Sequence, residues 1–364
     1  MITINGRAIG DGCAPYIVAE MSGNHNHDLG RAMRIIEAAK ASGADAVKLQ
    51  TYRPNTITID HHSEEFTVQG GLWSGRRLFD LYEEAHTPWE WHAPLFEHAK
   101  RIGITVFSSP FDPTAVDFLE NLGAPAYKIA SPELIDLALI RKVASTGKPV
   151  ILSTGAATLD EIEEAVQTAR DAGATELVVL HCTAAYPAPP EEANLASITA
   201  LAERFQVVAG LSDHTLGTTV AALAVGLGAS FIEKHFTLAR ADGGVDSAFS
   251  LEPHELVELV IAARIAKAAT GQPTFGPTES ESSVLKNRRS LYVVKPLAKG
   301  ELLTNEHIRS IRPANGLKPR YLDAVLGQRA ARDLYFGEPL QTHMLDGWTA
   351  FDTQNENPQA VQEK

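Results

Sequence analysis

The chain has 364 residues, with 45 acidic against 32 basic side chains and a formal net charge of −13. That length exceeds one barrel of roughly 250 residues and leaves room for a smaller second domain. The acidic balance argues against binding nucleic acid or an anionic membrane through bulk electrostatics, although a local cation cluster can still hold a small anion. Two cysteines, Cys13 and Cys182, without metal-type spacing predict a reducing compartment and no disulfide. No basic segment followed by an apolar core opens the chain, and no run reaches 18 apolar residues. A cytoplasmic protein without a membrane span is expected.

Eight short apolar runs follow in order, and nearly all end in a residue able to bind an anion, a metal or a proton. They are residues 16–19 ending at Glu20, 46–49 carrying Lys48 and ending at Gln50, and 104–107 ending at Ser108-Ser109. Residues 126–130 carry Lys128 and end near Ser131 and Glu133, and 150–152 end at Ser153-Thr154. The last three are 177–180 before His181-Cys182, 207–211 before Ser212-Asp213-His214, and 231–232 before Glu233-Lys234-His235. Helix-period stretches separate most of them. Residues 28–42 align Met33, Ile35, Ile36 and Ala39, 160–172 follow Thr158 as N-cap, 218–228 are almost wholly apolar, and 253–269 precede Thr270-Gly271. Repeated strand–helix units of this size predict an α/β fold, a (β/α)₈ TIM barrel over residues 1–271, whose active site lies at the strand C-termini.

Over fifty residues separate Gln50 from Ile104, far beyond an ordinary connection. The segment holds Trp73, Tyr82, Trp89 and Trp91 and is expected to supply the second outer helix, the next one and an insertion above the rim. Its aromatic residues read as the insertion's own core, with a sugar platform as the alternative. Residues 272–289 read as a linker, 290–347 as a small β-rich domain, and 348–364 as a disordered tail.

His214 and His235 end neighbouring strands and can share a divalent ion, with Glu20 on the adjacent first strand as third ligand. The alternative is a structural role for both imidazoles. Lys48, Lys128, Ser109, Ser131 and Ser153 suit a phosphate with a carboxylate. Lys48 or Lys128 could instead form a Schiff base, or Lys128 an ion pair with Glu133. Asp213 and Asp246 are candidates for binding hydroxyls or moving protons, and Tyr186 for facing a ligand. His61, His62 and His86 read as solvated.

The ordered motifs Ala19-Glu20 with Asn24-His25, Val47-Lys48-Leu49-Gln50, Ser108-Ser109-Pro110-Phe111-Asp112, Tyr127-Lys128-Ile129-Ala130-Ser131, Leu211-Ser212-Asp213-His214 and Glu233-Lys234-His235 resemble the sialic acid synthases. Arg312-Pro313-Ala314-Asn315-Gly316 resembles the antifreeze-like (SAF) domain that follows their barrel. The stretches Gly70-Gly71-Leu72-Trp73, Trp89-Glu90-Trp91-His92 and Asp246-Ser247-Ala248-Phe249-Ser250 resemble the pseudaminic acid branch, and Ala184 stands where neuraminate-forming members usually carry Asn. The resemblance implies a metal-dependent transferase that condenses phosphoenolpyruvate with 2,4-diacetamido-2,4,6-trideoxy-altrose. It implies Mn²⁺, Mg²⁺ or Co²⁺ on His214 and His235, with Glu20 and Glu133 in acid–base or charge-stabilising roles. It also implies phosphoenolpyruvate on Lys48, Lys128, Ser131 and Ser153, supported by Ser109 and Ser212, and the sugar on Gln50, Tyr186 and Asp246. Arg312 is implied to reach the sugar from the partner subunit of a domain-swapped homodimer. The rival expectations are a legionaminate or neuraminate synthase, a Schiff-base lyase and a non-catalytic sugar-binding protein.

Overall fold

The computed structural model describes residues 1–348, and the expected tail beyond Trp348 lies outside them. Two compact units divide the chain after Gly271. The first begins with an antiparallel hairpin, β1 (Ile2–Ile4) and β2 (Arg7–Ile9), that the sequence reading does not anticipate. Eight parallel strands then close a barrel: β3 (Tyr16–Glu20), β4 (Ala46–Thr51), β5 (Thr105–Pro110), β6 (Tyr127–Ile129), β7 (Val150–Ser153), β8 (Leu177–Cys182), β9 (Val208–Asp213) and β10 (Phe231–His235). β10 pairs with both β9 and β3, which completes the circle.

Side chains alternate in and out along each strand. The inward set starts with Tyr16, Val18, Ala46, Phe107, Ala126, Ile151, Val178, Leu180, Val208 and Phe231, which pack as one cluster. Ile2, Ile4 and Ile9 of the hairpin join that cluster and plug the floor. The outward set, including Ile17, Val47, Leu49, Val106, Ala209, Leu211 and Ile232, packs against the surrounding helices. Further along each strand the inward positions become polar: Glu20, Lys48 and Gln50, Ser109, Lys128, Ser153, Cys182, Ser212, Glu233 and His235. Strand parity therefore separates a dry floor from a polar rim. Gly210 allows β9 and β10 to approach, since a Cβ there would lie 2.2 Å from the Phe231 carbonyl oxygen.

The helices begin where their caps dictate. Asp28 accepts from the Arg31 N–H at the start of Leu29–Ala41, and Thr158 with Glu161 forms a capping box before Leu159–Asp171. In the long connection one outer helix, Trp89–Ile102, buries Leu95 and Ala99 against the barrel, rather than two. A separate helix, Leu78–Ala85, precedes it. The tryptophans do not form one core. Trp89 stacks on Phe118 at 4.5 Å, Trp91 meets the buried His25 ring, and Trp73 packs on Tyr186 at 5.4 Å while donating to the Val245 carbonyl.

The second unit starts with a short helix, Ser282–Lys286, inside the expected linker. Two antiparallel strand pairs follow, Ser290–Val293 with Ile308–Ile311 and Arg329–Ala330 with Leu345–Asp346. Leu291, Val293, Ile308, Val325, Leu340 and Leu345 form its core, and Trp348 packs on it rather than belonging to a tail. The Ser290 hydroxyl donates to the Pro313 carbonyl at 2.6 Å and accepts from the Gly316 N–H at 2.9 Å. That staple holds the turn behind the exposed Arg312.

Candidate active site

The rim is organised around a buried file of alternating charge. Lys48 Nζ lies 3.1 Å from Glu20 Oε2 and 3.3 Å from Glu233 Oε1, and Lys128 Nζ lies 3.7 Å from the same Glu233 oxygen. All four side chains are at least nine-tenths buried. Neighbouring-strand register brings them together, with Glu20 opposite Lys48 and Ser212 opposite Glu233. Lys48 Nζ also donates to Ser109 Oγ at 3.2 Å, and Ser212 Oγ donates to Glu233 Oε1 at 3.2 Å.

Burial works against every one of these charges, and the neighbours decide the outcome. For Lys48 the flanking Glu20 and Glu233 outweigh burial and raise its pKa. For Lys128 burial wins, with Lys48 adding repulsion, and its pKa falls despite Glu233. Glu233, held by two ammonium groups, lies below the usual carboxylate range although burial opposes this. Glu20 is raised by burial and by repulsion from Glu233, against Lys48. Lys128 pairs with Glu233, so the alternative pairing with Glu133 is replaced. Glu133 stands apart, its Oε2 without a partner, and burial pushes it up to about 7.

Ser131 accepts from the Gly155 N–H at 3.0 Å, while the Ser153 hydroxyl is buried without a hydrogen-bond partner. Two lysines with Ser109, Ser131, Ser153 and Ser212 form a polar part of the rim suited to a phosphate and a carboxylate.

On the other side stand the imidazoles. The His214 and His235 rings are 5.3 Å apart, with Tyr186 4.3 Å from His214 and Phe249 4.8 Å from His235. His214 Nδ1 lies 3.0 Å from the Thr183 carbonyl, which selects the tautomer with a lone pair on Nε2. His235 is driven well below the usual imidazole range, first by burial and then by His214 and Lys48. Its Nδ1 is buried without a hydrogen-bond partner, 3.6 Å from Asp246 Oδ2. One orphaned nitrogen and one with its proton directed elsewhere fit a divalent ion.

Glu20 does not complete that set. Its carboxylate turns to Lys48 and accepts from Gln50 Nε2 at 2.9 Å. Among the described residues, the only trio of His, Cys, Asp or Glu with ligand atoms within 4.8 Å of one another is Glu252, His254 and Glu255, outside the rim. Asp246 is the carboxylate beside His235, and burial raises it to about 6. Asp213 also leaves the site. It sits at an outward strand position, where Lys234 Nζ donates to it at 2.7 Å and the Thr215 N–H at 2.9 Å. Glu233 is the candidate site residue named in the sequence only as part of a strand end; it lies two positions before His235 and so faces the same way, between the two lysines. Arg312 belongs to the second unit and is exposed there.

Residues 35–274 match the NeuB family and residues 288–346 match the SAF domain. The chain belongs to the NeuB family. Among its relatives, a pseudaminic acid synthase of Helicobacter pylori is 45% identical over 337 residues, covering 91% of this chain and 98% of that protein. An N,N'-diacetyllegionaminic acid synthase of Legionella pneumophila is 35% identical over 343 residues, 93% of this chain and 96% of the relative. The crystal structure of an N-acetylneuraminic acid synthetase from Leptospira borgpetersenii in complex with citrate superposes with a TM-score of 0.70 at 31% identity. It covers 78% of this chain and 94% of the other. The match to the NeuB family extends through the strands carrying Lys48, Lys128, Glu233 and both rim histidines.

Proposed function

We propose that this NeuB family member is a pseudaminic acid synthase, joining phosphoenolpyruvate to 2,4-diacetamido-2,4,6-trideoxy-altrose. The observation that carries this reading is the meeting, on one rim, of a two-lysine anion cradle and a pair of imidazoles free to take a cation. The higher identity to a pseudaminic than to a legionaminic acid synthase supports the choice of sugar.

Lys48, Lys128 and the rim serines hold phosphoenolpyruvate by its phosphate and carboxylate. Gln50, Tyr186 and Asp246 face the open-chain sugar. A divalent ion, Mn²⁺, Mg²⁺ or Co²⁺, held by His214 and His235 supplies Lewis acidity toward the sugar aldehyde. The enol CH₂ carbon attacks the aldehyde carbon, forming the C–C bond while the aldehyde oxygen takes a proton. Positive charge develops on the former enol carbon, and the Glu133 carboxylate stabilises it. Water adds to that carbon, giving up its proton to a rim carboxylate, with Glu20 as the candidate. The new hydroxyl then gives its proton to the departing phosphate as the C–O bond breaks, leaving the 2-keto acid and hydrogen phosphate. Lys48, held as an ammonium between Glu20 and Glu233, serves as a fixed cation and not as a carbonyl nucleophile. Arg312 of a partner subunit closes the sugar pocket in a swapped homodimer.

The test is phosphate release from phosphoenolpyruvate with Mn²⁺, offering the trideoxy-altrose sugar, its legionaminate precursor and N-acetylmannosamine separately. Release only with the first is expected. Release only with another keeps the mechanism and changes the sugar. Borohydride trapping of a pyruvate adduct on Lys128 would replace the condensation with Schiff-base chemistry.

A further inference from the structure

Ser22 is a serine where the backbone favours glycine. Its φ is +47°, in the left-handed region that non-glycine residues rarely adopt. Its side chain is nonetheless buried at 3% exposure and linked on both sides. The hydroxyl donates to Asp246 Oδ2 and accepts from Gln50 Nε2 at 3.1 Å. Gln50 Nε2 also donates to Glu20 Oε1 at 2.9 Å.

With Glu20 and Asp246 ionised, carboxylates only accept, so Gln50 turns its NH₂ toward Glu20 and Ser22 points its proton at Asp246. The serine lone pairs are then left for the second Gln50 N–H. Two atoms remain. Among the described residues, Asp246 Oδ1 and Gln50 Oε1 accept from no protein donor. The wall that Ser22 assembles thus presents two acceptors, and its complement is a ligand carrying donors, such as hydroxyl or amide N–H groups.

We infer that Ser22 is a positioning residue for the sugar: its hydroxyl fixes the orientation of Gln50 and Asp246 so that both offer acceptors to the substrate. The strained backbone is retained because glycine, though easier to place at φ +47°, brings no hydroxyl. This inference rests on the proposed function, in which Gln50 and Asp246 face the sugar.

The experiment compares Ser22→Gly, which relieves the backbone and deletes the hydroxyl, with Ser22→Ala, which deletes the hydroxyl alone. Both are assayed as the full chain for thermal midpoint and for kinetics toward each substrate. Ser22→Gly is expected to melt no lower than the parent while kcat/KM for the sugar falls ten-fold or more, with the phosphoenolpyruvate KM changed less than two-fold. Ser22→Ala is expected to lose the same activity and also melt lower. Unchanged sugar kinetics in Ser22→Gly, or equal losses toward both substrates, would overturn the inference. Crystal structures of the parent and Ser22→Gly give a reading independent of catalysis. If the parent turns over none of the sugars, the functional proposal falls. The positioning inference then survives only if Gln50 or Asp246 has reoriented in the variant, and falls if both keep their places.

Discussion

Replacing Glu233 by Gln tests the charge file of the rim directly. The substitution keeps the volume and an acceptor for Ser212 but removes the negative charge that sits 3.3 Å from Lys48 and 3.7 Å from Lys128. Two buried ammonium groups would then face Glu20 alone. Removing one member of a buried ion pair costs about 3–5 kcal/mol, because the partner's desolvation is no longer offset. Glu233→Gln should therefore lower the barrel's unfolding free energy by about 3 kcal/mol, read from urea titration of the full chain. The same change removes an internal anion that competes for the cradle, so inorganic phosphate should bind the variant more tightly than the parent. Saturating phosphate at about 100 times its dissociation constant would return roughly 2.7 kcal/mol. Stability lost and phosphate affinity gained is a combination that a simple packing defect does not produce. A variant within about 0.5 kcal/mol of the parent, a margin typical of neutral surface changes, or one gaining no more from phosphate than the parent, would refute the reasoning.

Other outcomes follow from the same geometry. Glu133 has its pKa raised to about 7 by burial, so its contribution to stability is fully present below the unfolded value near 4.5 and is lost as pH rises through 7. Glu133→Gln should accordingly be stabilised relative to the parent at pH 8, by roughly 1–3 kcal/mol, with the difference vanishing by pH 4 in thermal melts; a constant difference across that range would contradict it. His214→Ala should retain the circular dichroism of the parent while losing bound metal and turnover, and full activity in metal-free buffer would exclude the histidine pair as the ion's holder. Arg312→Ala should raise the sugar KM with little change toward phosphoenolpyruvate, by an amount matching one charged hydrogen bond of about 1.5–3 kcal/mol. Mixing it with a barrel-inactive variant should restore activity only if the second unit serves a partner's barrel.

The barrel was legible because each strand is a short apolar run that ends in polar residues, and because intervening helices carry their caps in sequence. The hairpin was equally written in Ile4-Asn5-Gly6-Arg7, an Asn-Gly turn signal flanked by apolar residues, with φ +48° and +81° at its centre. Within the site, the residue types were legible but their direction was not. Asp213 and His214 are adjacent, yet parity turns one to Lys234 and the other into the rim. Applied to β10, the same parity identifies Glu233 from His235. The orientation of Glu20 toward Lys48 depends on the β3–β4 register, a relation between distant segments that a single chain of letters does not display.

Strand β10 packs three unlike duties into alternate positions: Phe231 in the dry floor, Glu233 between the lysines, and His235 beside Asp246. A missense change spoils one duty at a time, whereas losing or gaining a single codon inside the strand reverses the facing of everything beyond it. Lys234 would be thrust into the rim as Glu233 and His235 turned toward the helices. In a library of one-codon deletions and insertions, this five-residue stretch should tolerate none, even where substitutions at Ile232 survive. Along β10 a substitution can therefore be confined to one duty, while a change of length cannot.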